Sequence, residues 1–343
     1  MGAVSLSKKE FQSMKKMFHN VVLRKVLKFF GILSLFGLFL LFLSVLFKVD
    51  PSTTPVNSFL IPDVLNKTYK ERPPVILISF ADGPQVFYKN QFSLTSSAAD
   101  KGFDAIYNYR RGHFDPDFYA RNKHILEQPR GSGYWLWKPY FILKTMESSP
   151  ENALIFYVDS GIVLKKSLTP LLKKFESSGC DMILMGHGKP VPLRQHLKKE
   201  AYIAFKEELT LQVLEHQNIW AFFVAVRNTA ENRAFIKKWL NTCENADALT
   251  DSPFDKDIQA PDFSGHGHDQ SLLSVLVALS PQNKIIIPRD ILRKEYGVHN
   301  FHRHPEEEFK SPLFIAAGIP QWISTVVWNN VLMIKLRQMF SEN

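Results

Sequence analysis

The chain has 343 residues, of which 45% are hydrophobic and 22% are charged, enough to bury the core of one large domain or two small ones. The formal net charge is +9, but seven of the 42 Lys and Arg residues precede residue 29, with one acidic residue among them. The remainder carries 35 basic and 32 acidic residues, and this near balance argues against a nucleic-acid-binding protein.

An uncharged apolar segment, Phe29–Phe47, follows the basic tail 1–28 and is bounded by Lys28 and Lys48. At about 1.5 Å per residue it would form about 28 Å of helix, which matches a hydrocarbon core of about 30 Å. The segment is longer than the apolar core of a signal peptide, and no cleavage site of small residues follows it. The pattern predicts an N-terminal transmembrane signal anchor, with a cytosolic tail and a luminal C-terminal part by the positive-inside rule.

The segment 48–74 contains five prolines among Ser and Thr residues and has no sustained period, which predicts a stem between the membrane and a folded domain. Within it, Asn66-Lys67-Thr68 is a glycosylation acceptor motif, a pattern that also occurs often by chance. The two cysteines, Cys180 and Cys243, either form a disulfide in an oxidising lumen or remain unpaired core residues.

Beyond the stem, short apolar segments alternate with segments of helical character. The strand candidates are Val75–Phe80, Ala105–Tyr109, Ala153–Val158, Met182–Gly186, Ala221–Val226 and Lys284–Ile287. The helix candidates are Tyr88–Lys101, Phe114–Glu127, Lys138–Glu147, Thr169–Ser177, Leu197–His216, Ala230–Cys243 and Asp269–Leu279. This alternation predicts an α/β domain with a mostly parallel sheet and helices on both faces.

Two acidic residues follow strands of this predicted sheet, at the edge where α/β proteins bind ligands. Asp82 follows the first strand, and Asp159 ends the clearest one, immediately before Ser160-Gly161. Asp159 is a candidate metal ligand, because hard divalent cations bind carboxylate and diphosphate oxygens together; an acid that only caps the turn is the alternative. No GxGxxG or GxxxxGK[ST] motif follows a strand, which disfavours dinucleotide-binding and P-loop proteins.

A glycine-rich turn, Arg130–Gly133, precedes the predicted helix that begins at Lys138. A helix N-terminus favours phosphate groups and Lys138 adds a positive charge, so this residue is a candidate diphosphate ligand. Trp135 and Trp137 are suited either to stacking on a sugar or base or to filling the core.

Two later segments show no pattern that predicts a strand or a helix within the domain. Asp247–His268 has no period and is too long for a simple connection, so it is expected to be a functional loop. It leads into Asp269-Gln270, which opens a helix either as a cap alone or as an acid that faces a cleft. The C-terminal segment 311–343 is strongly apolar, and its proline and paired asparagines disfavour a spanning helix. It is expected to lie on the membrane surface or to pack on the folded domain.

RGSGYWLWKPYFIL (130–143) followed by ALIFYVDSGIV (153–163) resembles the GT-A glycosyltransferases, in particular a subgroup with a GxGYWxWKP block before the acidic motif. The resemblance continues through 218–229 and 266–276. It implies a Rossmann-like GT-A domain over 75–310 that moves a sugar from a nucleotide-diphosphate donor to a hydroxyl of a glycan, glycolipid or protein. The residues expected to bind the donor are Asp82, Gly131, Gly133, Trp137 and Lys138.

The resemblance departs from the family at the acidic motif, because Asp159-Ser160-Gly161 lacks the second acid of Asp-x-Asp. It implies a Mn²⁺ or Mg²⁺ ion on Asp159 with a ligand from elsewhere, as glycogenin-like members use a C-terminal histidine. His299 and His302 are the candidates, with a hydrogen-bonded histidine cluster as the alternative. The same members imply that Asp269 and Gln270 are catalytic, as stabilising groups or as a base for the acceptor hydroxyl.

The anchor, the stem and the acceptor motif together imply a single-pass type II protein of the Golgi or another secretory-pathway membrane, with its catalytic domain in the lumen. Nucleic acid is not an expected partner. The missing second acid leaves a second hypothesis, a membrane-tethered protein that binds sugar nucleotides or glycans on the same scaffold without catalysis.

Overall fold

The computed structural model describes residues 72–99 and 101–300, together with Gly31, residues 34–37 and Phe39. These last six residues are helical and belong to a separate unit of the chain. No helix within the described residues is both long enough and apolar enough to cross a bilayer. The tail 1–28, most of the predicted anchor Phe29–Phe47, the stem up to residue 71 and the segment 311–343 lie outside the described residues.

A six-stranded sheet forms the centre of the part described by 72–300. Its strands are β1 (Val75–Phe80), β2 (Ala105–Tyr109), β3 (Leu154–Val158), β5 (Met182–Gly186), β6 (Ile219–Arg227) and β7 (Lys284–Pro288), in the order β2-β1-β3-β6-β5-β7. β6 pairs antiparallel with β3 and β5, and the other neighbours pair parallel. The predicted mostly parallel sheet is confirmed, with one reversed strand inside it.

A second, two-stranded sheet was not predicted from the sequence. Its strands, β4 (Ile162–Leu164) and β8 (Val298–Asn300), pair antiparallel, with Val163 opposite His299. Each strand has three residues, too few for an apolar alternation to be recognised. The pairing joins the segment after Asp159 to the end of the described chain.

The helices connect the strands and cover the sheet. They are α1 (Gln85–Ala98), α2 (Pro116–Leu126), α3 (Gly131–Tyr134, a single left-handed turn), α4 (Trp137–Glu147), α5 (Thr169–Ser178), α6 (Leu211–Leu214), α7 (Ala230–Cys243), α8 (Ala246–Leu249), α9 (Asp269–Leu279) and α10 (Arg289–Tyr296). Short 3₁₀ turns lie at Arg111–His113, Leu193–Gln195, Lys199–Ala204, Lys206–Glu208 and Lys256–Ile258. The helices α7 and α9 match their predicted bounds, whereas α10 was missed.

Both faces of the sheet are buried, as predicted. Successive side chains of a strand point to opposite faces, so Ile76 and Ile78 join a hydrophobic cluster that includes residues of α4, α7 and α9. Val75 and Leu77 join the other cluster, with residues of α1, α5 and α10.

The two cysteines belong to these two different clusters. Cys180 lies in the cluster that contains Val75 and Leu77, and Cys243 lies in the one that contains Ile76 and Ile78. Both thiols are free and buried. The disulfide alternative is therefore wrong, because the sheet separates the two side chains.

The predicted helix Leu197–His216 is wrong. Leu197, Ala201 and Phe205 are buried at a spacing of four residues, but the backbone breaks at Lys206, which has a φ of +49°. Thr210 then caps a new short helix, α6, by accepting a hydrogen bond from the backbone of Val213. Upstream, the ammonium of Lys198 is buried and donates to the carbonyls of Thr250 and Pro253. Tertiary contacts thus override the local helical pattern.

Candidate active site

A cavity of about 420 Å³ opens where β1 and β3 end and β6 begins. Because β6 runs opposite to its neighbours, its first residues meet the carboxyl ends of the other strands. The side chains and backbone around the cavity belong to Phe80, Ala81, Asp82, Gly83, Pro84, Phe87, Asn90, Pro129, Gly131, Ser132, Trp135, Trp137, Asp159, Ser160, Gly161, Ile162, Trp220 and Phe222. Both acids predicted for this edge, Asp82 and Asp159, therefore line one cavity.

Asp159 leaves β3 with its backbone fixed and its carboxylate partly exposed. Its N–H donates to the carbonyl of Phe222 at 3.0 Å, so the sheet positions the residue after the strand has ended. The hydroxyl of Tyr157 donates to Oδ1, and the side chain remains 34% exposed in the cavity. Asp159 thus presents oxygen atoms to the cavity as predicted.

Lys138 lies behind Asp159, in the first turn of α4. Its Nζ atom is 3.0 Å from Oδ2 of Asp269 and 3.6 Å from Oδ1 of Asp159, and its side chain is 4% exposed. Burial opposes the charged form, but the two nearby carboxylates outweigh burial and raise the pKa of Lys138. In this state the ammonium connects two acids, and its predicted role as a diphosphate ligand stays a prediction.

Asp269 is the buried member of this group. Burial, only partly offset by Lys138, raises the pKa of its carboxyl to about 6. It opens α9 as predicted, and the indole of Trp239 donates to its backbone carbonyl at 3.0 Å. Gln270 accepts a hydrogen bond from the N–H of Ala221, at 3.4 Å. Neither residue of the predicted catalytic pair lines the cavity; both lie against the elements that shape it.

The glycine-rich turn is a run of left-handed backbone. Gly131, Ser132, Gly133, Tyr134 and Trp135 all have positive φ. A Cβ on Gly131 would lie 2.5 Å from the ring of Trp135, and one on Gly133 would lie 2.6 Å from the Cα of Leu126. Glycine is required at both positions by conformation and by space.

This turn fixes two aromatic walls of the cavity. The indole N–H of Trp137 donates to the carbonyl of Gly131 at 2.9 Å, and its ring stacks on Phe80 with centroids 4.3 Å apart. Trp135 stacks on His268 at 5.4 Å. Both tryptophans therefore combine packing with a face on the cavity, and their stacking on a sugar or base stays a prediction.

Asp82, which also lines the cavity, is held by Arg111 and Ser132. The guanidinium of Arg111 lies 2.6 Å from Oδ2, and the Ser132 hydroxyl donates to the same oxygen. Burial alone would raise the pKa of Asp82, but these two partners outweigh it and lower the pKa. Asp82 stays ionised, and its Oδ2 atom already accepts hydrogen bonds from Arg111 and Ser132.

Sequence reasoning missed five residues that build the site: Arg111, Ser132, Tyr157, Trp220 and Phe222. Ser132 lies inside the recognised block and could have been included with it. Tyr157 precedes Asp159 by two residues, and side chains at this spacing in an extended strand point to the same face. A contact between the two side chains was therefore predictable. The other three depend on how distant segments meet.

The predicted loop Asp247–His268 includes most of α8 and a 3₁₀ turn, and it contacts the glycine-rich turn. Tyr134 donates to Asp251 at 2.9 Å, and Arg130 forms an ion pair with the same carboxylate at 3.1 Å. The loop therefore supports the turn that carries the tryptophans.

The predicted histidine ligands are only partly covered by the structure. His299 lines a second, smaller pocket beside the main cavity, whereas His302 lies outside the described residues. Across 72–99 and 101–300, no three His, Cys, Asp or Glu side chains are grouped to hold a metal ion. The metal site on Asp159 stays a prediction.

No protein-family model and no curated protein matches the chain. Similar solved structures include mouse xyloside xylosyltransferase 1 in its apo form, at 10% identity over 63% of this chain and 85% of that chain, with a TM-score of 0.34. A glycosyltransferase involved in glycosylation of the major capsid of PBCV-1 matches at 9% identity over 68% and 89%, with a TM-score of 0.35. The galactosyltransferase LgtC, in complex with donor and acceptor sugar analogues, matches at 13% identity over 59% and 70%, with a TM-score of 0.29. At these TM-scores, the likeness does not assign the chain to a family.

Proposed function

We propose that the chain is a glycosyltransferase of the GT-A type, which moves a sugar from a nucleotide-diphosphate donor to an acceptor hydroxyl. The observation that carries the proposal is the position of Asp159, whose partly exposed carboxylate follows β3 into a cavity of about 420 Å³ at the ligand-binding edge of the sheet. A cavity of about 420 Å³ is of the size that accepts a small organic ligand. The faces of Trp135 and Trp137 suit stacking on a base or a sugar.

The donor set at Asp159 fits Mn²⁺ or Mg²⁺ in part. Mg²⁺ is commonly held by one or two carboxylates together with substrate phosphates and water, and Asp159 offers one such carboxylate. A bound ion would neutralise the charge that develops on the departing nucleotide diphosphate. The ammonium of Lys138, 3.6 Å from Oδ1, competes for the same carboxylate.

The residues behind Asp159 are proposed to orient it. Lys138 connects Asp159 to Asp269, so the buried acid acts on the cavity through the ammonium. The pKa of Asp269, about 6, would suit a general base. The position of Asp269 behind Lys138 instead favours a positioning role. The hydrogen bond from Tyr157 fixes the carboxylate of Asp159 from the other side.

The remaining proposals concern the setting of the domain. The uncharged segment Phe29–Phe47 and the basic tail before it support a type II single-pass protein of the Golgi or another secretory membrane. Its acceptor would be a glycan, glycolipid or protein in the lumen.

The test is a sugar-transfer and donor-hydrolysis assay on the purified protein, with a panel of nucleotide-diphosphate sugars and with Mn²⁺ or Mg²⁺. Asp159→Ala is expected to lower kcat/KM by about 10²-fold or more, because it removes a charge from the reacting centre. Asp117→Ala, which removes an exposed carboxylate from α2, is the matched control and is expected to retain activity. Equal activity of the wild type and Asp159→Ala would contradict the proposal.

A second candidate is a sugar-nucleotide- or glycan-binding protein without catalysis. The contact between Lys138 and the lone acid Asp159 favours it, because the ammonium takes the place that a cation would occupy beside the carboxylate. Nucleotide binding by calorimetry, with no turnover of any donor, would support this candidate against the enzyme.

A further inference from the structure

A small pocket of about 190 Å³ adjoins the main cavity. Ile162 and Phe222 line both, so the two spaces share a wall. The small pocket also receives Lys165, Arg289, Arg293 and His299. These residues come from the segment after β4, from α10 and from β8, which the tertiary structure brings together.

The charge of this basic pocket is not balanced by its own lining. It contains no Asp or Glu, and neither arginine forms an ion pair with a carboxylate of the described residues. Arg289 lies over the ring of Trp220, 5.4 Å from its centroid, and this contact holds the guanidinium beside the main cavity.

The main cavity has the opposite charge. Its lining includes Asp82 and Asp159 but no Lys, Arg or His. Unless a cation is bound there, the phosphate groups of a nucleotide would be repelled by these two carboxylates, whereas a neutral base or sugar would meet the aromatic walls. The two spaces therefore suit different parts of one ligand.

We propose that the basic pocket is a phosphate-binding site, and that Arg289 and Arg293 bind the diphosphate of the donor while its uncharged parts occupy the main cavity. This inference rests on the proposed function for the identity of the donor. Arginine binds phosphate through two parallel N–H groups. The two guanidinium groups, of which Arg289 is held over Trp220, also supply positive charge that an Asp-x-Asp site would obtain from its metal ion.

The first experiment measures binding of inorganic pyrophosphate to the full chain by calorimetry, with EDTA present. Arg293→Gln is expected to weaken binding about tenfold, the value of one charged hydrogen-bonding group, and Arg289→Gln with Arg293→Gln is expected to weaken it further. Lys294→Gln is the matched control, since it removes one charge from the next, exposed position of α10, outside the pocket. Its affinity is expected to stay within about twofold of the wild type.

Unchanged pyrophosphate affinity in both arginine variants would overturn the phosphate site. Melting temperatures equal to that of the wild type show that the variants are folded, and the exposed position of Arg293 makes this variant the decisive one.

A second experiment identifies the source of the phosphate groups with UDP, GDP and the corresponding nucleosides. Arg293→Gln is expected to weaken the nucleoside diphosphates and to leave nucleoside binding unchanged. If Arg293→Gln weakened pyrophosphate but left UDP and GDP binding unchanged, the pocket would not bind the donor. The phosphate group that it binds would then belong to the acceptor. Because pyrophosphate binding needs no turnover, absence of sugar transfer would contradict the proposed function without contradicting this site.

Discussion

Lys138 is the residue on which the geometry of the site depends most. Its ammonium is almost fully buried, and it lies within 3.6 Å of Asp159 and 3.0 Å of Asp269. A buried ion pair contributes little over an apolar replacement, but removal of one partner leaves a buried charge without compensation. Lys138 and Asp269 therefore orient Asp159, and the free-energy cost of burying their charges is offset only when all three residues are present.

Lys138→Met is expected to destabilise the protein by about 3–5 kcal/mol, because Asp269 is left buried without a cation. Adding Asp269→Asn is expected to restore part of this loss. The free energy of unfolding in urea measures both. Lys238→Met, in the exposed pair with Glu208, is the control and is expected to cost less than about 1 kcal/mol. A loss in the double variant equal to the sum of the single losses would show that the residues are not coupled.

His187 gives the site region a pH dependence of stability. Burial, with repulsion from His196 and Arg289, lowers the pKa of His187 from 6.5 to about 4. Between these values the unfolded chain binds more protons than the folded chain, so the contribution of His187 to stability rises with pH and is lost as the pH falls. His187→Gln is expected to reduce the slope of unfolding free energy against pH from about 4 to about 6.5. Equal slopes would contradict this.

Among the elements, the glycine-rich turn before α4 carries the site. Its left-handed backbone brings the start of α4 close to the end of α2, where Gly133 approaches the Cα of Leu126. The turn is held by Asp251 from the long loop. Because both tryptophans of the cavity follow this turn, its conformation decides where they lie.

Gly133→Ala is expected to destabilise the protein by about 2–4 kcal/mol, since a Cβ would meet backbone 2.6 Å away in addition to the backbone strain. Gly102→Ala is the matched control, because it also has positive φ but has open space around its Cβ. It is expected to cost about 1–2 kcal/mol from conformation alone. Urea unfolding compares the two, and equal losses would show that the close approach to Leu126 is not important.

At the scale of the whole molecule, most of the excess positive charge lies in the basic tail that precedes the proposed anchor. Without the tail before residue 29, the basic and acidic residues nearly balance. The charge therefore has a membrane-orienting role in the proposal, rather than a role in binding nucleic acid.

The full chain expressed in a eukaryotic secretory system is expected to resist carbonate extraction from membranes. Introducing Leu35→Arg and Phe36→Arg together is expected to release much of it, because each charge at the centre of a spanning helix costs about 2.5–3.5 kcal/mol. A gel shift removed by endoglycosidase and by Asn66→Gln would report a luminal stem. Carbonate-soluble wild-type protein would contradict the anchor.

Much of the fold could be predicted from the sequence, because buried strands and amphipathic helices carry local patterns. The bounds of α7 and α9 were predicted correctly, as was β5. The helix expected at Leu197–His216 failed, since the break at Lys206 and the burial of Lys198 depend on distant carbonyls. The three-residue strands β4 and β8 stabilise each other only after two segments far apart in the sequence meet.

For the site, the sequence by itself determined that Asp82 and Asp159 follow strands and so lie at one edge of the sheet, and that Gly131 and Gly133 form a turn. Only the tertiary structure decided that Lys138 contacts two acids instead of the open cavity, that Asp269 is buried behind it, and that two arginines from α10 gather beside Phe222. The reason is physical. Strand direction and backbone conformation are local properties, whereas burial, ion pairing and the charge of a pocket arise from segments that are distant in the sequence.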